Sequence, residues 1–178
     1  LYINADGDGI DSNGGLTISG GSVIINGPAD SGNGALDANG TILVNGGFLV
    51  ASGSSGMAEY PSGSSGQNVI AVTLPRQQTG ALLRIEDEDG NDLLTFTSKK
   101  TYHSLIFSSP DIKSGMEYTV YTGGSYSGGT ESDGLMADGS YTGGSVFGSV
   151  TVSTILSYVG TSGGMNGPGG MGGRPGRR

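Results

Sequence analysis

The chain contains no cysteine and no tryptophan, and His103 is its single histidine. The lack of cysteine excludes disulfides, thiolate nucleophiles, thiolate zinc sites and iron–sulfur clusters. A single histidine excludes metal sites built from several imidazoles. No run of 18 apolar residues occurs, so the sequence predicts no transmembrane helix. The chain opens on the apolar run Leu1-Tyr2-Ile3, without a signal-peptide pattern or an initiating methionine, which indicates a piece processed or cut from a longer protein.

Basic residues are scarce. Eight Lys and Arg stand against sixteen Asp and Glu, which gives a formal net charge of −8 over 178 residues. This charge argues against binding to the phosphates of nucleic acids and against anionic membranes. The first sixty residues contain acids but no Lys or Arg, whereas the last eighteen contain Arg174, Arg177 and Arg178 and no acid. The acidic N-terminal part must therefore repel itself or bind cations.

Glycine is abundant, with 37 residues, but it follows no Gly-X-Y period, so a collagen triple helix is excluded. Residues 10–27 instead align without a gap to residues 36–53, at an offset of 26 residues. Asp11 matches Asp37, and the pair Gly20-Gly21 matches Gly46-Gly47. The Ile3-Asn4 pair repeats as Ile25-Asn26 at an offset of 22. The shared apolar positions are Ile10/Leu36, Leu16/Ile42, Ile18/Val44 and Val23/Leu49.

Each copy of the repeat contains three short apolar stretches separated by Asn and Gly turns. Dense glycine disfavours helix, and three short strands per turn of about 25 residues is the pattern of a parallel β-helix. We therefore predict an all-β fold with parallel β-helix coils over residues 1–67. The two Gly-Gly pairs are predicted to form corners, where a positive φ is favourable only for glycine.

The sequence changes in character after residue 67. Short strands separated by turn signals predict an antiparallel β region over residues 68–160 that packs on the coils or caps them. Residues 161–178 are rich in glycine and are predicted to form a flexible tail. The predicted strands are Val69–Leu74, Leu82–Glu86, Leu93–Thr97, Tyr102–Phe107, Tyr118–Tyr121, Val146–Val152 and Ile155–Val159.

Carboxylates are concentrated in glycine-rich turns near the N-terminus. Asp6, Asp8 and Asp11 lie within six residues, and the repeat stacks Asp11 on Asp37. Calcium prefers hard oxygen ligands and would relieve the repulsion between these groups. Asp6, Asp8, Asp11, Asp37 and Asp30 are therefore the candidate Ca²⁺ ligands. The alternative is that these residues form solvated Asp-Gly turns, which Asp favours in any case.

Tyrosine supplies most of the aromatic residues, with eight Tyr and four Phe. Exposed tyrosine can stack on a sugar ring and donate a hydrogen bond through its hydroxyl. The candidates for carbohydrate binding are Tyr60, Tyr102, Tyr126 and Tyr141, which lie beside turns or polar stretches. The alternative for each is packing between strands.

Other motifs favour structural interpretations. The acidic stretch 87–92 lacks the Gly and Glu that an EF-hand needs at its sixth and twelfth positions. A hairpin turn at Asp89-Gly90 is the better interpretation, and His103 is expected to be an ordinary strand residue. Residues 1–75 contain no Lys or Arg to act as a base, so the sequence predicts no enzyme.

Four strings stand out along the chain: Asn4-Ala5-Asp6-Gly7-Asp8-Gly9-Ile10-Asp11-Ser12-Asn13-Gly14, Gly34-Ala35-Leu36-Asp37 with Asn39-Gly40, Ser54-Ser55-Gly56-Met57-Ala58, and Gly169-Gly170-Met171-Gly172-Gly173-Arg174-Pro175. In this order they resemble a family of secreted carbohydrate-binding β-helix proteins from anaerobic Gram-positive bacteria. The resemblance covers the whole chain and matches the C-terminal portion of that family. It implies a right-handed parallel β-helix with Ca²⁺ between coils, an extracellular or cell-surface location, and binding to cellulose or polygalacturonate without catalysis.

Three functions follow as hypotheses. The first is a Ca²⁺-stabilised polysaccharide-binding or adhesin module. The second is a subunit of an extracellular fibre or filament that associates with itself through the open N-terminal coil, whose edge would present unpaired backbone groups. The third, and the least favoured, is a Ca²⁺-dependent pectate-type lyase.

Overall fold

The computed structural model describes residues 1–160, and the predicted tail at residues 161–178 lies outside the described residues. The described part consists of strands, turns and loops and contains no helix. The all-β prediction is therefore confirmed. No helix of this part is long and apolar enough to cross a membrane.

Fourteen strands follow one another along the described chain. Strands β3 and β5 are the longest, and the register of their pairing shifts near the Gly-Gly pairs. The strands are β1 (Tyr2–Asn4), β2 (Ile10–Ser12), β3 (Leu16–Asn26), β4 (Leu36–Ala38), β5 (Ile42–Gly53), β6 (Val69–Gln77), β7 (Leu82–Asp87), β8 (Asp92–Thr97), β9 (Tyr102–Ser108), β10 (Glu117–Thr122), β11 (Ser125–Ser132), β12 (Leu135–Thr142), β13 (Ser145–Thr151) and β14 (Leu156–Gly160).

The 26-residue repeat appears as parallel strand pairing. Strand β2 pairs with β4, and β3 pairs with β5, both in parallel. Strand β1 pairs with β3 at the shorter offset, with Ile3 opposite Ile25. Every apolar pair predicted from the repeat is a register pair: Ile10/Leu36, Leu16/Ile42, Ile18/Val44 and Val23/Leu49.

The positive φ predicted for the Gly-Gly pairs is present at the second glycine of each pair. Gly21 has a φ of +77° and Gly47 a φ of +89°, which L side chains rarely adopt. A Cβ atom on Gly47 would also lie 2.5 Å from the carbonyl oxygen of Gly21. The repeat therefore needs glycine at Gly47 for two reasons, its own backbone conformation and its close approach to the previous copy.

Antiparallel strands continue the sheet that the parallel strands begin. The first six-stranded sheet has the order β1-β3-β5-β9-β6-β14. Strand β9 is antiparallel to both β5 and β6, whereas β14 is parallel to β6. The region predicted as antiparallel thus shares a mixed sheet with the strands of the repeat.

The second six-stranded sheet is antiparallel, with the order β11-β12-β8-β7-β10-β13. The predicted turn at Asp89-Gly90 joins β7 to β8, and Gly90 has a φ of +81°. The sequence did not predict β11 and β12, a hairpin with several glycines in which Asp133 and Asp138 also have positive φ.

Two apolar clusters lie on opposite faces of the first sheet. Ile25 and Ala51 point into one cluster, which fills the space under the repeat. Ile24 and Val50, the alternate residues of the same strands, point into the other cluster, which lies between the two six-stranded sheets. The central strands of the first sheet are therefore buried on both faces, and this explains their nearly continuous apolar runs.

Candidate functional site

The acidic turn after β1 is fixed by a lysine from a distant part of the chain. Lys100 Nζ donates a hydrogen bond to the carboxylate of Asp6 and another to the carbonyl oxygen of Ala5, at 2.6 Å. The hydrogen bond from Lys100 holds the pKa of the Asp6 carboxyl below its ordinary value of 3.8, although Asp6 is exposed. Asp6 therefore already has a cationic partner.

Asp8 and Asp30 both accept hydrogen bonds from the loop at residues 32–34. Asp8 Oδ1 accepts a hydrogen bond from the backbone N–H of Gly34 at 2.7 Å. Asp30 Oδ1 accepts hydrogen bonds from the N–H of Gly32 at 2.9 Å and from Asn33 Nδ2 at 3.2 Å. Asp30 thus stabilises its own turn, whereas Asp8 joins its segment to a loop 26 residues later in the sequence.

Asp11 and Asp37 are the two predicted ligands that the fold brings together. They are register partners in the parallel pair β2–β4, where neighbouring strands lie about 4.8 Å apart. Within residues 1–160 no group of three or more Asp, Glu or His side chains is placed to hold a metal ion. Of the five candidate ligands, Asp11 and Asp37 are adjacent on paired strands, whereas Asp6, Asp8 and Asp30 lie in the segments between strands.

A groove lies beside the turn that follows β4. Residues 38–42 form one wall, residues 59–63 form the other, and Leu156 and Tyr158 of β14 complete the lining. Its volume is about 770 Å³. The two walls are joined by a hydrogen bond of 2.8 Å from the N–H of Ser62 to the carbonyl oxygen of Ile42. We call this feature the tyrosine groove.

Two tyrosines meet edge to face in the tyrosine groove. The rings of Tyr60 and Tyr158 are 5.6 Å apart, with an interplanar angle of 82°. Tyr60 is 4% exposed and supports Tyr158, which is 40% exposed. Burial, with a smaller contribution from Tyr60, raises the pKa of the Tyr158 hydroxyl. Tyr158 is therefore neutral near pH 7 and offers both a ring and a hydroxyl to the groove.

Polar groups line the rest of the tyrosine groove. Asn39 and Thr41 are exposed, and Ser62 is half-buried. Glu59 Oε2 accepts a hydrogen bond of 2.9 Å from the N–H of Ala38, which joins the two walls a second time. Glu59 is the single charged residue among the described residues that line the groove.

The structure places Tyr102 in the core, contrary to the expectation of a tyrosine at the surface. Tyr102 is 1% exposed, because β9 lies between β5 and β6 and turns this side chain toward the cluster between the two sheets. Its hydroxyl is buried without a hydrogen-bond partner, and burial raises its pKa well above 10. Tyr102 therefore has no ring face to offer to a sugar.

Tyr126 and Tyr141 lie opposite each other in the β11–β12 hairpin. The hydroxyl of Tyr126 accepts a hydrogen bond from the N–H of Gly139 at 2.7 Å, and the hydroxyl of Tyr141 donates one to the carbonyl oxygen of Gly123 at 2.9 Å. Both side chains are half-buried, and both hydroxyls hold the backbone of this glycine-rich segment.

Arg84 stands beneath the ring of Tyr141, with its guanidinium carbon 5.2 Å from the ring centroid. It forms ion pairs with Glu86 at 2.5 Å and with Asp92 at 2.7 Å. Burial raises the pKa of the Tyr141 hydroxyl, and the positive charge of Arg84 partly offsets this rise. Sequence reasoning missed this cluster, and the alternation of Leu83, Arg84 and Ile85 was the signal that Arg84 lies on the outer face of β7.

Comparisons with known protein families, with curated proteins and with solved structures give no match.

Proposed function

We propose that this chain is a polysaccharide-binding module of the cell surface or extracellular space that acts without catalysis. The observation that carries the proposal is the tyrosine groove, where a supported and partly exposed tyrosine lies beside exposed amide and hydroxyl groups. Sugar-binding sites commonly combine an aromatic platform with polar groups that fix orientation. The resemblance noted in the sequence points to the same function.

The groove favours a neutral sugar over an acidic one. Glu59 is its one charged lining residue, and the chain carries a net charge of −8. An anionic chain such as polygalacturonate would therefore need Ca²⁺ to bridge its carboxylates to those of the protein. A neutral chain such as cellulose would bind through stacking on Tyr158 and hydrogen bonds.

The parallel register supports the finer proposal of right-handed β-helix coils with Ca²⁺ between them. Pairing at the same 26-residue offset occurs in both β2–β4 and β3–β5, as stacked coils require. Asp11 and Asp37 are the residues that would hold the ion, with two carboxylates side by side on neighbouring coils. Asp6 fits this role less well, because Lys100 already neutralises it.

The ionisable residues near the tyrosine groove and the acidic turn support the proposal that the chain binds polysaccharide without cleaving it. Hydrolysis of a glycosidic bond ordinarily uses two carboxyl groups, whereas the described lining contains Glu59 alone. A pectate-type lyase needs a neutral base, whereas Lys100, the amine beside the acidic turn, donates hydrogen bonds to two oxygens. Incubation with pectate should therefore yield no ultraviolet-absorbing unsaturated product.

Replacement of Tyr158 tests the site. We expect Tyr158→Ala to weaken retention on insoluble cellulose by about tenfold, because loss of one stacked aromatic removes about 1.4 kcal/mol. Tyr2→Ala is the matched control, since Tyr2 is 39% exposed and lies at the opposite edge of the same sheet. Equal retention of both variants would remove the groove from the proposal, and no retention of the unaltered chain on any plant polysaccharide would remove the function.

Calcium binding is tested by thermal unfolding in excess Ca²⁺ and in chelator. We expect Ca²⁺ to raise the midpoint of the unaltered chain and to leave D11N/D37N unchanged. The control is E88Q/E117Q, which removes the same charge from exposed positions elsewhere. An equal rise in all three proteins would place the ion outside the Asp11–Asp37 pair.

Self-association into a filament is a second candidate, favoured by the direction of two strands. Within residues 1–160 the outer strands of the first sheet are β1 and β14, and the pairings along the sheet give them the same direction. Parallel pairing of β14 of one copy with β1 of the next would continue the sheet without closing a ring. Light scattering over a range of protein concentrations tests this candidate, and a constant monomer mass would overturn it.

A further inference from the structure

A second groove lies between the two six-stranded sheets. It consists of two adjoining hollows of about 430 and 350 Å³ that share Phe48, Asp92 and Leu93. Its floor is apolar and half-buried, because Phe48, Leu93, Met116 and Leu135 pack against the core with one side and line the groove with the other. Phe48 is fixed there by an edge-to-face contact with Phe107 at 5.6 Å. We call this feature the acid-rimmed groove.

The rim of this groove is negative. Four aspartates line it, and Lys113 is the one cation of the described residues that does so. Arg84 offsets Asp92 through an ion pair of 2.7 Å. Lys113 Nζ donates a hydrogen bond to the carbonyl oxygen of Pro110 at 2.5 Å. The aspartates are Asp87, Asp92, Asp111 and Asp138.

We propose that the acid-rimmed groove binds the arginine-bearing end of this same chain, within residues 165–178. That segment carries Arg174, Arg177 and Arg178 and no acid, and it is the complement of the rim in charge. It also contains Met165 and Met171, whose unbranched apolar side chains adapt to irregular surfaces such as the floor of this groove. No other stretch of the sequence combines three basic residues with the absence of acids.

The connection is long enough. Gly160, the last residue of β14, is the register partner of Thr73 in β6. The sheet order β5-β9-β6-β14 separates β14 from β5 by three strand spacings, or about 14 Å across the sheet. Through Thr73 and Ser104, Gly160 lies level with Gly53 of β5. Phe48 is five residues before Gly53, which is a distance of about 17 Å along the strand. The fourteen or so residues between Gly160 and Arg174 extend to about 46 Å, so the arginines reach the rim within one molecule.

Spin-label distances in the full chain test the proposal. The sequence has no cysteine, so A137C/G172C places one label on the exposed edge of the acid-rimmed groove and one in the segment. We expect a narrow short-distance population that is lost in about 0.5 M NaCl, where the screening length falls to about 4 Å. The same population should be lost when R174Q/R177Q/R178Q is added. A label pair at T17C/G172C, with Thr17 exposed on β3, should show no short distance.

Rim variants distinguish this groove from general attraction to an acidic protein. D111N/D138N removes two rim charges and keeps the shape of the side chains, and Asn tolerates the positive φ of Asp138. E117Q/D133N removes the same charge from exposed residues that do not line the groove. Loss of the short distance in the first variant and its retention in the second supports the proposal, provided that both melt like the parent.

Two outcomes would overturn it. The first is a broad distance distribution in the parent that neither salt nor the arginine substitutions alter. The second is a short distance that appears on mixing singly labelled A137C with singly labelled G172C, since the contact would then join two molecules. The glycan function and this contact involve different grooves, so either can fail without the other.

Discussion

At the scale of single residues, two buried tyrosines differ in the hydrogen bonding of their hydroxyls: one makes two hydrogen bonds and the other makes none. The hydroxyl of Tyr118 accepts a hydrogen bond from the N–H of Lys113 at 2.7 Å and donates one to the carbonyl oxygen of Asp111 at 3.3 Å. The hydroxyl of Tyr102 has no partner. Both rings are 1% exposed in the same cluster, so they form a natural pair for measuring the cost of an unsatisfied hydroxyl.

Removal of the two hydroxyls should have opposite effects. We expect Tyr102→Phe to raise the free energy of unfolding by about 1 kcal/mol, because it removes a buried group that lost its hydrogen bond to water. Tyr118→Phe should lower it by about 1 kcal/mol, because the partners at Lys113 and Asp111 lose theirs. Urea unfolding at neutral pH measures both. A loss of stability in Tyr102→Phe would mean that this hydroxyl has a partner in solution.

The ion pair of Asp6 with Lys100 gives a prediction about acid. The pKa of Asp6 is lowered in the folded chain, so its contribution to stability is present above the ordinary value of 3.8 and is lost as the pH falls through the lowered value. In Lys100→Gln the carboxyl loses its main hydrogen bond, and we expect its pKa to return toward 3.8. Carbon-detected NMR titration of the Asp6 carboxyl measures this, and an unchanged pKa would show that the pair does not persist in solution.

At the scale of elements, the repeat could be predicted because its signal is local. The match of residues 10–27 with 36–53 specifies the parallel register of β2–β4 and β3–β5, and the Gly-Gly pairs mark the corners. The β11–β12 hairpin was missed because Gly128 and Gly129 resemble a loop, whereas in the structure Tyr126 and Tyr141 hold the strands together. Pro75 also fails to end β6, which continues to Gln77 through an irregularity in its pairing with β9.

The corner at Gly47 should be intolerant of any side chain. We expect Gly47→Ala to lower the free energy of unfolding by about 2 kcal/mol, because of its positive φ and its contact with the backbone of Gly21. Gly63→Ala is the matched control, since a Cβ there meets nothing within 4 Å and its φ is not positive. It should change stability by less than about 0.5 kcal/mol. Equal effects of the two changes would contradict the close stacking of the corners.

At the scale of the whole molecule, the two regions predicted from the sequence are joined. Asn26 is buried in the repeat, and its Oδ1 accepts hydrogen bonds from the Ser98 hydroxyl at 3.0 Å and from the N–H of Lys99 at 2.7 Å. Ile106 of β9 lies in the cluster under the repeat, and Ile24 of β3 lies in the cluster between the sheets. Each region therefore completes the core of the other.

Unfolding should accordingly be a single transition. We expect far-ultraviolet circular dichroism and the near-ultraviolet signal of the tyrosines to give the same midpoint in urea. Asn26→Ala should lower that midpoint in both signals, because the Lys99 N–H and the proton of the Ser98 hydroxyl lose their acceptor, at a cost of about 1–3 kcal/mol. This cost outweighs the removal of Asn26 Nδ2, a buried donor that has no partner. Two separate midpoints would show that the repeat unfolds independently of the second sheet.

The candidate sites depend on this long-range order, which explains why the sequence predicted them only in part. The adjacency of Asp11 and Asp37 follows from the local repeat and was predicted from it. Tyr158 reaches Tyr60 because β14 returns to the first sheet beside β6, and no local pattern shows that. Lys100 reaches Asp6 in the same way, so an acidic turn that appeared unneutralised in sequence has a cation in the fold.

The position of β9 governs the order in which the molecule can assemble as it is synthesised. Leu49 pairs with Ser108, and Gly53 pairs with Ser104, so the edge of β5 stays unpaired until β9 has emerged. Strand β6 also pairs with β9, so this edge of β6 stays unpaired until β9 has been synthesised. Pairing over such long separations slows folding and prolongs the exposure of apolar strand edges to other chains. A nascent chain stopped before residue 102 would therefore present an unpaired β5 edge that can pair with other chains.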